Sequence, residues 1–163
     1  MTNNLIVPGT QSGLQTMIDL FNAIVGGPPA FGGFAAGTLA LRRIYIPGYI
    51  TPVYTEGAQV GVNKGMVNSV RGMQVFVQPY PNMLAGDLIE VFYGTSNIAA
   101  VKVSVREEQL GQNIETYIPA KKVLEGVHDL YYVITRAGST NKESSLVLKV
   151  LARLKYPGGN DPE

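Results

Sequence analysis

The stretch YPNMLAGDLIEVFYG, residues 80–94, sets the reading of this chain. Its first half is a turn, with Pro81, Asn82 and Gly86 as breakers. Its second half alternates: Ile89, Val91 and Tyr93 share one face, and Leu88, Glu90 and Phe92 the other. A period of two specifies a half-buried β-strand. Asp87, at the first step of that strand, is either a functional acid or the punctuation of a β-sheet. Following Gly86, its carboxylate can accept backbone N–H bonds from the turn, and one such bond is worth on the order of 1 kcal/mol. We read Asp87 as turn punctuation.

The same texture continues on both sides. GMQVFVQPY (72–80) puts Met73, Val75 and Val77 on one face. AVKVSVRE (100–107) is the cleanest alternation, with Val101, Val103 and Val105 inward and Lys102, Ser104 and Arg106 outward. NIETYIP (113–119) is weaker. VHDLYYVITR (127–136) and ESSLVLKVLARL (143–154) flank AGSTNK, a turn-rich hairpin connection. PAKKVLEG (119–126) suits a short helical turn. RIYIPGYI and TPVYT alternate only weakly, broken by Pro47, Gly48 and Pro52, and leave the strand order of residues 41–70 open. Short strands, turn signals between them and no long helix predict an all-β fold, an antiparallel β-sandwich in a single copy.

Composition bounds the function. The 163 residues suit one domain with an appendage, and 45% hydrophobic against 15% charged residues is enough for a core. Thirteen basic residues stand against twelve acidic ones, a net charge of +1, and the only adjacent basic pairs are Arg42–Arg43 and Lys121–Lys122. A nucleic-acid footprint needs a clustered basic face, so no nucleic-acid partner is expected. With no cysteine there is no disulfide and no thiolate metal site. The start, MTNNLIVPGTQSG, carries no basic region or long apolar run, so no Sec signal peptide is read. The next apolar stretch, LQTMIDLFNAIVGG, contains Asp19 and falls short of the ~20 residues a membrane span needs.

Residues 1–50 read as an N-terminal arm, 51–156 as the sandwich and 157–163 as a polar tail, with the β texture beginning at about Leu41. Leu14, Met17, Ile18, Phe21, Ile24 and Val25 recur at helical spacing and form one apolar stripe. Ser12 can cap this helix, and Gly26–Gly27 with Pro28–Pro29 ends it. So short a helix is not stable alone, and the stripe must dock on its own domain or on another chain. PPAFGGFAAGTLA (28–40) is either a loosely ordered linker or an arm that inserts Phe31 and Phe34 into a neighbouring subunit.

Candidate chemistry is sparse. His128 has Asp129 beside it and Ser144–Ser145 in the next strand. Adjacent strand residues point to opposite faces, so Asp129 is poorly placed to orient His128, and neither serine sits in a nucleophile elbow. Asp87, Glu90, Glu107, Glu108, Glu125 and Asp129 lack the density of a calcium loop. AFGGFAAGT lacks the lysine of a phosphate loop. No catalytic residue, metal or cofactor is expected. Nine tyrosines and no tryptophan are the richer signal. Tyr49 and Tyr54 are the candidate ligand or partner contacts, for a glycan or a protein. Tyr131 or Tyr132 could instead make the tyrosine-corner hydrogen bond of immunoglobulin sandwiches.

Together, QPYPNMLAGDLIEVFYG, IPAKKVLEG, LYYVITRAGSTNKESSLVLKV and PGGNDPE resemble the bacterial immunoglobulin-like repeats of large Pseudomonas-type surface and secreted proteins. The resemblance covers roughly residues 67–161, extends loosely over 50–66 and leaves 1–50 unmatched. Asn82 stands where those repeats carry a turn glycine. The resemblance implies a module without an active site, acting as spacer, adhesin or stabilising appendage; similar domains decorate bacteriophage virions. A chain starting at its own Met, with an apolar N-terminal segment and no secretory signal, leads to the expectation of a structural virion component. Its subunit contact would be the residue 14–25 stripe with Phe31 and Phe34. Its partners would be further copies or other virion and surface proteins, and its location the virion or the extracellular surface. The alternative is a secreted adhesin or carbohydrate-binding module.

Overall fold

The computed structural model describes residues 40–155. The expected N-terminal helix, with Leu14, Met17, Ile18, Phe21, Ile24 and Val25, lies outside the described residues. So do Phe31, Phe34 and the polar tail.

Among the described residues the chain forms nine strands: β1 (Val60–Asn63), β2 (Val67–Asn68), β3 (Gly72–Val77), β4 (Leu88–Tyr93), β5 (Val101–Ser104), β6 (Ile114–Ile118), β7 (Gly126–Thr135), β8 (Lys142–Ser144) and β9 (Leu148–Arg153). Among the described residues the only helical pieces are single 3-10 turns at Lys64–Met66, Glu107–Gln109 and Ala120–Lys122. The all-β expectation holds, and the short helical turn read in PAKKVLEG is the last of these.

One sheet has the order β1-β9-β7-β4-β5, with β8 pairing β7, and the other has the order β2-β3-β6. Every pairing between these strands is antiparallel except β1 with β9, which is parallel, so the larger sheet is mixed. This corrects the purely antiparallel expectation. Alternation in a segment as short as Val60–Asn63 marks a strand but not the direction of its partner.

The two sheets share one core. Met73, Val75 and Val77 of β3 and Ile114 and Ile118 of β6 meet Ile89, Val91, Leu130, Tyr132, Ile134 and Val150 of the larger sheet. Burying each aliphatic side chain contributes about 1.5–3 kcal/mol. The β4–β7 register opposes Ile89 to Ile134, Val91 to Tyr132 and Tyr93 to Leu130, so the inward face read from sequence is the core face. On the outer face Phe92 stacks on Tyr131 at 5.1 Å and 11°. In β5, at the sheet edge, Val101 and Val103 are only half-buried, while Val105 just beyond it is buried.

The β unit begins at Leu41, not after residue 50. Leu41, Ile44 and Ile46 are buried in its core. Isolated bridges pair Leu41 with Ser145, Tyr45 with Phe76 and Ile50 with Gly61. The segment stitches itself to both sheets without forming a regular strand, because Pro47 and Gly48 interrupt it.

Two backbone positions require special residues. Asn82 has φ 55°, the left-handed conformation that asparagine tolerates, so this turn keeps a glycine-like geometry without glycine. Gly72 has φ +100°, and a Cβ there would lie 2.0 Å from the Ile118 carbonyl oxygen. Only glycine lets β3 start against β6.

The chain comes into the β unit beside Ser145 and leaves it after Arg153, at opposite ends of the β9 segment. At ~3.4 Å per residue these points lie about 25 Å apart. The near end, where the chain comes in, carries connections 78–87, 105–113 and 136–141. The far end carries connections 64–71, 94–100 and 119–125.

Candidate functional site

Residues 44–54 hold the tyrosines that the sequence singled out. Tyr45 pairs its backbone with Phe76 through N–H···O bonds of 2.9 and 2.8 Å, and their rings lie 6.4 Å apart. The Pro47–Gly48 turn then brings Tyr49 edge-on to Tyr45, at 6.0 Å and 84°. These two rings, each 42% exposed, border a groove of about 380 Å³ floored by Ile44, Ile46, Val60 and Leu148. Its polar lining is partly committed. The Arg43 Nε donates to Val147 O at 3.1 Å, Gln78 Oε1 accepts from Arg42, and Gln59 Oε1 accepts from the Lys149 N–H. The outer guanidinium of Arg43 and the amide nitrogens of Gln59 and Gln78 remain as donors. An apolar floor, an aromatic rim and several donors suit a ligand rich in acceptor oxygens.

Tyr54, 93% exposed, borders a different groove of about 290 Å³, with Ile50, Pro52, Val53 and Leu151. The structure therefore separates Tyr49 from Tyr54. Tyr45 is the ring beside Tyr49, and its signal in the sequence was the weak alternation of RIYIPGYI. Gln59 and Gln78 had no signal in the sequence.

Asp87 accepts a backbone N–H of its turn, as read from the sequence, and it also has partners beyond the turn. It is fully buried. Its Oδ2 accepts the Tyr80 hydroxyl at 2.9 Å and the Leu84 N–H at 3.1 Å, and its Oδ1 accepts the Ala137 N–H at 2.8 Å. Arg136 stands 3.6 Å from Oδ2, lies over the Tyr80 ring and donates to the Pro81 and Asn82 carbonyls. Its other guanidinium nitrogens form a two-pronged pair with Glu143 at 2.8 and 3.0 Å. That hydrogen-bonded pairing holds the Glu143 carboxyl below its ordinary pKa. Burial, then the Asp87 hydrogen bond and charge, raises the Tyr80 phenol well above its usual range. The cluster ties connection 78–87 to connection 136–141, and its charges are spent on that tie.

His128, Asp129 and the serines Ser144 and Ser145 do not come together as a Ser-His-Asp arrangement. His128 Nε2 contacts Glu125 O at 2.9 Å and its ring packs on Tyr93, while Asp129 pairs with Lys149 at 2.7 Å. Ser145 Oγ accepts the Tyr132 N–H and donates to Leu146 O. Among the described residues no cluster of three or more histidines or acids is arranged to hold a metal ion, and no helix is long and apolar enough to cross a membrane.

The expected tyrosine corner at Tyr131 or Tyr132 is also corrected. Tyr131 stacks outside on Phe92, and the buried Tyr132 hydroxyl has no partner among the described residues. The tyrosine that anchors the connection before β7 is Tyr93, whose hydroxyl donates to Leu124 O at 3.1 Å.

Comparison with protein-family models, curated proteins and solved structures finds no match for this chain.

Proposed function

We propose that this chain is a non-enzymatic structural protein. In this reading it is an immunoglobulin-like β-sandwich module that assembles into, or decorates, a particle such as a phage virion through its N-terminal segment. Its partners would be further copies or other virion and surface proteins. The observation that carries the reading is the course of the chain, which comes in at one end of the β unit and leaves at the other. A module threaded in this way spaces whatever is joined at its two ends. The strand order supports an immunoglobulin-like sandwich: β5-β4-β7-β9 faces β3-β6, and β1 runs parallel to the last strand. The apolar stripe Leu14, Met17, Ile18, Phe21, Ile24 and Val25 is the support from sequence for an N-terminal contact.

Light scattering on the full chain, with and without residues 1–40, tests the reading. The full chain should be a defined oligomer or polymer, and the truncated one a folded monomer. A monomer in both cases sinks it.

The Tyr45–Tyr49 groove favours a second reading, a secreted glycan-binding or adhesin module. Glycan-array binding that Tyr49→Ala abolishes and Tyr54→Ala spares would support that reading, because the two rings border separate grooves.

A further inference from the structure

The far end of the β unit has a surface that neither reading uses. Connections 64–71, 94–100 and 119–125 each present an aliphatic side chain to water there. Val70 is 91% exposed, Ile98 75% and Leu124 51%. The same connections and the departing residues 153–155 carry Lys64, Arg71, Lys121, Lys122, Arg153 and Lys155, against one acid, Glu125, which pairs with Lys155 at 3.7 Å. The sequence beyond Lys155 adds Asp161 and Glu163, which leaves the positive balance in place.

The connections that carry these side chains are held in position. Lys122 Nζ donates to the carbonyls of Ala99 and Ala100, each at 3.2 Å, which joins connection 94–100 to connection 119–125. The Tyr93 hydroxyl fixes Leu124 through its carbonyl. Asn68 Oδ1 accepts the N–H groups of Val70 and Arg71 at 2.8 and 2.9 Å, which shapes the tip bearing Val70. Ile98, Leu124, Lys121 and Lys122 border one shallow groove of about 310 Å³. Ordered connections thus keep aliphatic groups in water, ringed by cations.

We propose that this far end is a peripheral docking surface for an anionic lipid bilayer. The aliphatic tips enter the boundary of the acyl region, and the ammonium and guanidinium groups stay at the level of the phosphates. Nucleic acid matches the charge but not the tips. Single strands stack successive bases on aromatic platforms; these three connections contain no aromatic residue, and the exposed Tyr54, in the groove that Arg153 also lines, is a single ring. The proposal does not depend on the N-terminal segment, so it stands or falls separately from the assembly reading.

The test is co-sedimentation of the full chain with phosphatidylcholine–phosphatidylglycerol vesicles and with phosphatidylcholine vesicles alone. Binding is expected only to the anionic vesicles, and added salt should weaken it. Lys121→Gln with Arg153→Gln should weaken it about fivefold per cation removed. Val70→Ser with Ile98→Ser leaves the charge unchanged and should weaken it about tenfold. All four side chains point into solvent, and circular dichroism checks that each variant is folded. Failure of the folded chain to bind anionic vesicles overturns the proposal. So does binding that the two serines leave undiminished. Displacement of the vesicles by double-stranded DNA, together with insensitivity to the serines, would identify a general polyanion site instead.

Discussion

At the scale of single residues, Asp87 organises the near end. It sits at the start of a strand, and part of its role is legible locally, since Gly86 and the turn before it are sequence signals. The rest depends on Ala137, fifty positions downstream, and on Arg136 beside it. No pattern within the turn announces such partners, and so a carboxylate with several bonds reads as one with a single bond. Asp87→Ala would leave the Tyr80 hydroxyl and two backbone N–H groups without their acceptor, and would take from Arg136 one of its two carboxylate neighbours. It should cost about 3–5 kcal/mol, measured by urea unfolding. Asp87→Asn should recover part of this, because the amide oxygen serves one side while its NH2 faces N–H groups that cannot accept. A stability of Asp87→Ala close to that of the parent would mean that the cluster is ornamental.

At the scale of elements, the strands were legible wherever one face is buried. Met73, Val75 and Val77, like Ile89, Val91 and Tyr93, keep a period of two because the core enforces it. Legibility fails where backbone pairing is not reported by side chains, as in β1, whose parallel partner lies far downstream, and in 41–50, which pairs through isolated bridges. The candidate groove was half legible: Tyr49 belonged to it, while Tyr54, Gln59 and Gln78 depended on how a segment without regular structure folds. Cross-strand charges also set a pH response. Glu90, 8% exposed, is held below its ordinary pKa of 4.5 by its hydrogen bond to Lys102, with Lys102 and Lys142 also adding favourable charge. Glu143 is depressed by Arg136. Depressed carboxyls stabilise the fold fully above the unfolded value of 4.5 and lose that contribution as pH falls through their folded values. Unfolding midpoints should therefore drop in acid below about pH 4.5, and Glu143→Gln should flatten that drop. On the alkaline side burial pushes Tyr93 and Tyr132 up to about 12, so stability should fall as pH rises from 10 towards that value.

At the scale of the whole molecule, where the β unit begins has a direct test. Removing residues 1–40 leaves Leu41, Ile44 and Ile46 in the core, whereas removing 1–50 takes all three away. At about 2 kcal/mol each, that loss is of the order of the entire margin of a small domain. The shorter deletion should keep a cooperative thermal transition and the longer one should abolish it. Survival of the longer deletion would show that the segment is dispensable. The parallel pairing of β1 with β9 has a mechanical consequence. Tension applied at Leu41 and Lys155 drags β1 and β9 in opposite directions along their common axis, so their shared hydrogen bonds are sheared together. Tension applied at Asn63 and Lys155, which lie at the same end, peels the same bonds one at a time. Single-molecule pulling should find the first geometry markedly stronger than the second, so the unit resists being stretched from end to end far better than being unzipped from one end.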